Sequence, residues 1–536
     1  MLRRATMKIS VIDFETDPFL YQRTPRPFAC EFLSDEFCEV FWGDDCHEQL
    51  AKFLEVLNEP FFIYAHNGGK FDFHFLHRWL ENPIKVINSR IVSAKFGIHT
   101  FRDSYAILPV PLRAYEKDEI DYTKMERDRR ETHKDEILRY LHTDCASLLD
   151  LVSAFVERFG DKLTIGSTAM GEIKKRHPFI RATEPYDSIF RKFYYGGRVQ
   201  CFKQGILKGP WKCVDVNSSY PKSMRDFWHP VNARFETQSH MPDNFDVPFF
   251  MHFEGTNKGA LPVKIEDGSL SFEQPEGEFL ACSHEIKVAL EYGLIDIKKV
   301  HEVHVACETM RFIDYVDTFY AQKRDCKLAG DRIGELFAKL LLNSGYGKFG
   351  QNPDHFKDWI ISRDPGEEIT LEENGYELLA EFPDFDLWAR PSDVGERALF
   401  DVAVAASITS ASRSILLEGL RNCRVPAYCD TDSIICRDFS GYIDDSRLGA
   451  WKLEKTSDYL AVAGKKLYAM YDHETAEPLK LASKGGMLKL ADILAICRGE
   501  KVTYQQAAPT FSVRTEKVRF VERIFEMTVD ADNSED

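Results

Sequence analysis

Two sets of carboxylates, each placed at the end of a strand-like apolar run, constrain this chain more than any other feature. The first opens in Lys8-Ile9-Ser10-Val11-Ile12-Asp13-Phe14-Glu15. Its alternation predicts a buried strand with Asp13 and Glu15 on one side, because successive side chains point to opposite faces. A short apolar strand is predicted at residues 61–65, followed by His66-Asn67-Gly68-Gly69-Lys70-Phe71-Asp72 and a helix through residues 71–80. Residues 135–158 have the period of a long amphipathic helix, on which Tyr140 and Asp144 share a face. Asp13, Glu15, Asp72 and Asp144 would together offer oxygen ligands to two hard divalent cations. Such a pair can activate water and stabilise the leaving oxygen of a phosphodiester. Tyr140 is placed to orient that water, and Lys117 to offset phosphate charge.

The second set lies further along. Trp211-Lys212-Cys213-Val214-Asp215 reads as a strand delivering Asp215 to its end, with Tyr220 five residues on, where a helix begins. In Ala338-Lys339-Leu340-Leu341-Leu342-Asn343-Ser344-Gly345-Tyr346-Gly347, Lys339, Asn343 and Tyr346 form one polar stripe on an apolar helix. A cation on that stripe suits a triphosphate, and the tyrosine beside a glycine suits a stacked base. Tyr428-Cys429-Asp430-Thr431-Asp432-Ser433 reads as a hairpin whose tight turn presents two acids. Lys466-Leu467-Tyr468 is predicted to put a lysine and an aromatic ring on one side of a strand. Asp215 and Asp432 on neighbouring strands again make a two-cation donor set.

Charge alone does not point to a polyanionic partner. The chain has 69 Lys+Arg against 86 Asp+Glu, a formal net charge of −17. Net charge describes the far field, whereas local basic surface decides contact with phosphate. Residues 172–212 hold ten basic and three acidic side chains, while residues 351–400 hold thirteen acidic and four basic. The rest is ordinary globular composition, 44% hydrophobic and 29% charged, with no apolar run long enough for a membrane span. The N-terminal residues lack the pattern of a signal peptide. Thirteen scattered cysteines without a C-x-x-C pair imply reduced thiols in a cytoplasmic setting.

Six of these runs together resemble the family-B DNA polymerases, in the protein-primed branch of phages with linear genomes. Residues 13–16, 66–72 and 140–144 are similar to the three exonuclease motifs of that family. The runs ending at Pro221, Gly347 and Ser433 are similar to polymerase motifs A, B and C, and residues 466–468 to the K-x-Y motif. Tyr194-Tyr195-Gly196-Gly197 is similar to the Y-x-G-G motif between the two activities, which gives the basic run a nucleic-acid role. The resemblance implies an α/β multidomain fold: a ribonuclease-H-like 3′→5′ exonuclease domain followed by a right-hand palm, fingers and thumb.

It also implies a division of the chain. Residues 1–160 would be the exonuclease domain and 161–212 the linker carrying Y-x-G-G. The palm would take 213–228 and 401–450, and the fingers 311–350. Residues 229–310 and 351–400 would be two insertions, and 451–536 the palm end and thumb. The aromatic tip of the second insertion, residues 382–388, is expected to pack on the first insertion and close a ring around DNA.

Residue roles follow from the same resemblance. Asp13, Glu15, Asp72 and Asp144 would be exonuclease metal ligands or their supports, assisted by Tyr140 and Lys117. Thr16, Asn67 and Phe71 would hold a single-stranded 3′ end. Asp215, Asp432 and the Val216 carbonyl would ligate the polymerase metals, with Asp430 in support. Tyr220 would exclude a 2′-hydroxyl. Lys323, Lys339, Asn343 and Tyr346 would contact the nucleotide, and Ser344 the nascent base pair. Thr409 and Arg413 match a T-x3-R template contact, while Lys466 and Tyr468 would grip the primer terminus. Tyr194, Gly196 and Gly197 would touch DNA. Two Mg²⁺ per site are implied, with Mn²⁺ able to substitute. The implied partners are primer–template DNA, dNTPs and a terminal-protein primer, for a monomer in the cytoplasm of a bacterial host.

Two features depart from the family pattern. Glu335 stands one turn before Lys339, where relatives carry a lysine, and the segment from Lys323 to Lys339 is long, so Lys327 competes with Lys323 for the triphosphate. Initiation on a protein hydroxyl, on an oligonucleotide or without a primer stays open. A nuclease with an inert second site and a DNA-binding scaffold are the rival readings, and two intact carboxylate sets argue against both.

Overall fold

The computed structural model describes residues 8–18, 25–111, 120–180, 186–382, 384–392 and 400–505, with short segments 510–512, 515–519 and 522–527. The first unit is a sheet sandwiched between helices. Strand β1 (Lys8–Thr16) runs antiparallel to β2 (Pro27–Ser34), which pairs with β3 (Cys38–Trp42). After helix α1 (Cys46–Val56), strand β4 (Phe61–Ala65) pairs parallel to β1. Val11 faces the core beneath helix α3 (Lys134–Phe159), whereas Ile12 and Phe14 face the core beneath α1. Strand alternation therefore turns Asp13 and Glu15 toward α3, the helix that carries Asp144.

The helix expected at residues 71–80 is broken. A 3-10 turn at Gly68–Lys70, a short α2 (Asp72–Phe75) and a second 3-10 turn at His77–Trp79 replace it. A Cβ on Gly69 would lie 1.9 Å from the Ile91 carbonyl oxygen, so the chain must hug the sheet here. Asn67, at φ 64°, makes the turn into that approach. The unit continues through β5 (Glu81–Ile87), β6 (Arg90–Phe96) and β7 (His99–Asp103), which pairs parallel to β4.

Helices α4 (Ile165–Arg176) and α5 (Tyr186–Arg191) lead to a second sheet. There β8 (Val199–Cys201) and β9 (Gly205–Val216) precede helix α6 (Ser219–Asp226). A lobe follows, in which β10 (His229–Pro230), β11 (Phe235–Gln238), β12 (Phe249–Asn257), β13 (Val263–Lys264), β14 (Leu270–Ser271) and β15 (Glu276–Cys282) precede α7 (Ser283–Glu291). Strands β16 (Ile295–Ala306) and β17 (Thr309–Met310) end it, and its four-stranded sheet has the order β11-β16-β12-β15. Two antiparallel helices, α8 (Ile313–Ala329) and α9 (Arg332–Phe349), project next. Gly330 at φ 73° ends the first, and the Asp331 side chain caps the second by accepting from the Gly334 amide at 2.8 Å.

The described residues between 353 and 391 join the first unit, contrary to the ring expected from the sequence. Strands β18 (Lys357–Ser362), β19 (Glu377–Glu381) and β20 (Asp386–Pro391), with helix α10 (Glu368–Glu373) between the first two, extend the first sheet. That sheet reads β19-β20-β18-β5-β6-β7-β4-β1-β2-β3. The Asn82 side chain clamps the junction, accepting from the Ile361 amide (2.9 Å) and donating to its carbonyl (2.7 Å). Trp359, Ile361, Phe385 and Leu387 enter the same core as Phe73, Leu76 and Ile84. Asp384 in the aromatic tip pairs with His77 and Arg78 of the first unit. The acids are on the outside, as expected: Glu367, Glu368, Glu372, Glu373, Glu377 and Glu381 are exposed.

Helix α11 (Val402–Arg421) is buried along almost its whole length behind the second sheet. Strands β21 (Cys423–Asp430), β22 (Ser433–Phe439), β23 (Trp451–Gly464), β24 (Leu467–Tyr471) and β25 (Pro478–Ser483) complete that sheet. Its order is β25-β24-β23-β9-β22-β21-β8, which sets β9 against β22. Helix α12 (Leu490–Cys497) covers one end.

Candidate active sites

In the first unit, burial and mutual repulsion make the acids a candidate cation site. Asp72 is 1% exposed and accepts from the Phe14 amide at 3.3 Å, which ties α2 to the tip of β1. Burial first, then Asp144 and Asp72, push the Glu15 carboxyl up to about 8. Burial likewise raises Asp72 to about 7. Asp13 is held well above the usual carboxylate range by burial, then by Asp72, Glu15 and Asp144. Repulsion of this kind is relieved by bound divalent cations, and an all-oxygen donor set fits hard ions. The Tyr140 hydroxyl lies 3.4 Å from that of Tyr122, and burial keeps its phenol neutral.

Thr16 is buried beside these acids, and Asn67 and Phe71 flank the Gly68-Gly69 turn. Lys117 lies outside the described residues. Sequence reasoning missed Asp103, a buried acid at the end of β7 that accepts from Arg90 (2.5 Å) and from the Gly69 amide (3.2 Å). Only its place at the end of a short strand could have signalled it.

A metal-free sample gives this site a pH signature. Glu15 and Asp72 titrate higher in the fold than in the unfolded chain, so the folded state binds more protons. Their contribution to stability is therefore complete at low pH and is lost as pH rises from about 4 toward 8. In chelator the thermal midpoint should fall across that window. Saturating Mg²⁺ should flatten the slope, because cations then replace protons. An equal slope with and without Mg²⁺ would contradict a cation site here.

In the second sheet, β9 and β22 set Ser433 opposite Asp215, and the Val216 amide donates to the Asp432 carbonyl at 2.8 Å. The two acids thereby emerge side by side, with Thr431 at φ 55° turning the β21–β22 hairpin just before Asp432. Burial, then Asp215 and Asp430, push Asp432 up to about 7. Burial also raises Asp215, but the Lys452 ammonium at 3.2 Å opposes that rise. Lys452 lies opposite Asp215 in the β23–β9 register. Nothing in the sequence signals that pairing.

Asp430 has a different part. It accepts from Lys466 Nζ (2.9 Å), the Thr431 hydroxyl (3.0 Å) and the Tyr428 hydroxyl (3.3 Å), so it anchors a lysine beside the acids. Lys466 sits in the turn before β24, at φ 59°, not on a strand as expected. Its amide donates to the Tyr428 hydroxyl, whose ring packs on Tyr468 at 4.7 Å. The turn needs a left-handed residue there.

The helical pair closes over this site. The Tyr220 and Tyr346 rings stack at 3.8 Å with 16° between planes. Lys339 and Asn343 lie exposed on α9, and Ser344 is half-buried. Burial and then the nearby Lys339 lower the Lys323 ammonium, with smaller contributions from Lys452 and Lys327. Lys323 and Lys339 thus lie near each other, while Lys327 is exposed in the last turn of α8.

The Y-x-G-G run is clamped beneath the hairpin. A Cβ on Gly197 would lie 2.7 Å from the Thr431 hydroxyl, and one on Gly350 would strike the Tyr194 ring. The Thr431 amide donates to the Arg198 carbonyl at 2.7 Å. Arg413 donates to the carbonyls of Tyr195 and Gly196, both at 2.8 Å. Its guanidinium also forms a bidentate pair with Glu285, at 2.7 and 2.6 Å. Arg413 is 3% and Thr409 2% exposed, and Thr409 donates back to the Ala406 carbonyl. The template contact expected of this pair is corrected: α11 is an interior helix, and Arg413 positions the Y-x-G-G loop from within.

Comparison with known proteins agrees with this geometry. Residues 110–433 match the family described as DNA polymerase type B, organellar and viral, and the chain belongs to that family. Within it, the chain is a DNA-directed DNA polymerase of the phage, protein-primed type. It is 46% identical over 92% of its length to the DNA-directed DNA polymerase of Enterobacteria phage PRD1, covering 88% of that protein. It is 24% identical over 87% of its length to the DNA polymerase of Bacillus phage phi29, again covering 87%. The solved phi29 polymerase with primer-template DNA superposes with a TM-score of 0.71 at 19% identity, over 98% of this chain and all of that one. The fold is accordingly an exonuclease unit joined to palm, fingers and thumb.

Proposed function

We propose that this polymerase copies a phage-type linear genome and proofreads it with a separate 3′→5′ exonuclease site. The observation that carries this is the presence of two buried carboxylate clusters on different sheets of one chain. Asp215 and Asp432, with the Val216 carbonyl, hold the polymerase cations. Asp13, Glu15 and Asp144, supported by Asp72, hold the exonuclease cations. Bound Mg²⁺, or Mn²⁺ in its place, would lower the pKa of the attacking hydroxyl or water and offset charge on the leaving oxygen.

The chain's own residues do the rest. Lys323 and Lys339 neutralise the triphosphate, and Asn343 and Ser344 face the new base pair. Lys466, held by Asp430, and Tyr468 fix the primer end, while Tyr194, Gly196 and Gly197 line the path between the sites. Tyr140 orients water over the first site, and Thr16, Asn67 and Phe71 hold the frayed 3′ end there. Residues 351–400, anchored on the exonuclease unit, act as a wall against the displaced strand. A terminal protein supplies the priming hydroxyl, and the enzyme works as a monomer in the cytoplasm of the bacterial host. A labelled primer on a template tests the core of this reading. It should lengthen with dNTPs and shorten without them.

Tyr220 is the steric gate in this account. Its ring already stacks on Tyr346, so an incoming nucleotide must part the two rings and lay its sugar against Tyr220. Tyr220→Val should raise ribonucleotide relative to deoxyribonucleotide incorporation by about 10- to 100-fold, the scale of one lost steric exclusion in a pocket. Single-turnover addition of matched rNTP and dNTP reads the ratio. An unchanged ratio removes Tyr220 from that role.

A further inference from the structure

We propose that His252, Glu278 and His301, on the outer face of the lobe formed by residues 229–310, bind one zinc-class divalent ion through two imidazoles and a carboxylate. The three side chains come from adjacent strands β12, β15 and β16. His252 pairs with Leu280 on one side, which puts Glu278, two residues away, on the same face. On the other side the register shifts between His252 and Phe253, whose partners are Glu302 and Val300. His301 is the extra residue of that bulge, the kind of irregularity that re-aims a side chain.

The ligand atoms are already near bonding positions for an ion. His252 Nε2 lies 3.1 Å from Glu278 Oε2, and His301 Nε2 lies 3.9 Å from Glu278 Oε1. The imidazole rings sit 4.7 Å apart, and all three ligand atoms fall within 4.8 Å of one another. Ligand bonds of about 2.0–2.2 Å in a tetrahedron imply ligand separations of about 3.4 Å, which these distances bracket. His301 Nε2 is buried and makes no hydrogen bond, an orphan that coordination would satisfy. The reverse face of the sheet is packed solidly by Met251, Phe253, Phe279, Ile286 and Val303, so the ligands stand on a rigid base.

Two imidazoles favour a borderline ion such as Zn²⁺ over Mg²⁺, and three protein ligands leave a fourth position for water. None of the three residues belongs to either carboxylate site. The other mixed cluster among the described residues is Glu31, Cys38 and His142. There Glu31 Oε1 already accepts from both partners, at 2.7 Å from His142 and 3.3 Å from Cys38, so an ion would have to displace two hydrogen bonds, against the single His252–Glu278 bond in the proposed site.

Co²⁺ titrated into the full chain in excess Mg²⁺, which fills the carboxylate sites, tests the assignment. One Co²⁺ per chain should bind with the intense visible bands of a four-coordinate ion, and Zn²⁺ should abolish them. His301→Ala, His252→Ala and the more exposed Glu278→Gln should each weaken binding by about 100-fold or more. All three should extend a primer normally with Mg²⁺, which establishes that they fold. Bands that persist in these variants, only the weak bands of six-coordinate Co²⁺, or a thiolate charge-transfer band pointing to Cys38 would each overturn the proposal. The cluster would then be a histidine–glutamate ion pair only.

Discussion

Asp432→Ala should slow nucleotide addition about a thousandfold while leaving primer shortening intact. The Asp432 carboxyl is crowded by Asp215 and Asp430 and pushed up to about 7, a state that a bound cation relieves. A cation at such a site contributes several kcal/mol to transition-state charge stabilisation, and about 4 kcal/mol corresponds to about three decades in rate. The substitution removes one ligand and leaves the β21–β22 hairpin in place, because the Asp432 contacts that shape it are backbone bonds to Val216 and Asp430. Rapid-quench incorporation of one dNTP measures the loss. A drop of less than about tenfold would mean that Asp432 does not hold a catalytic cation.

Arg413→Leu should destabilise the fold by about 3–5 kcal/mol, the cost of leaving a buried carboxylate unpaired. Glu285 and Arg413 are each 2% exposed at the side chain, so no solvent screens the loss. The double change Glu285→Leu with Arg413→Leu should be less damaging than the single one, since it removes the stranded charge. Some cost remains, because the carbonyls of Tyr195 and Gly196 lose their donor, at about 1–3 kcal/mol for the buried Tyr195 carbonyl. Urea unfolding of both, together with the single Glu285→Leu and the parent, forms the cycle. Additive losses would show that the two side chains are not coupled. Arg413→Leu should also slow polymerisation, since the Gly196-Gly197 turn that Arg413 holds packs on Thr431 between Asp430 and Asp432.

Much of the placement of the candidate acids was legible because it obeys local rules. Apolar runs ending in acids gave β1 and β9, and the 3.6-residue period gave α3 with Asp144 facing β1. A six-residue run with two acids gave the β21–β22 hairpin. What was hidden depends on register and burial between distant segments. Lys452 reaches Asp215 only because β23 pairs with β9 in one particular alignment. Arg413 matched a surface motif in sequence, yet its helix is walled on all sides, and Glu285, 128 residues away, neutralises it. The acidic run 351–400 was expected to close a ring with residues 229–310. Its buried Trp359, Leu387 and Trp388 were the residues that committed it to the exonuclease sheet. The tight 3-10 turn after Asn67 was hidden for a related reason: it depends on close contact between Gly69 and β6.

The central claim is that two independent cation sites share this chain. One 5′-labelled primer–template, followed in single turnover with and without dNTPs, tests it on the parent, on Asp13→Ala with Glu15→Ala, and on Asp432→Ala. The account predicts that the parent both extends and shortens the primer. The Asp13/Glu15 variant should extend at nearly the parental rate but shorten it at least about a hundredfold more slowly. Asp432→Ala should show the opposite pattern. If either variant loses both reactions while unfolding at the parental temperature, or if neither loses one, the two sites are not what their carboxylates indicate.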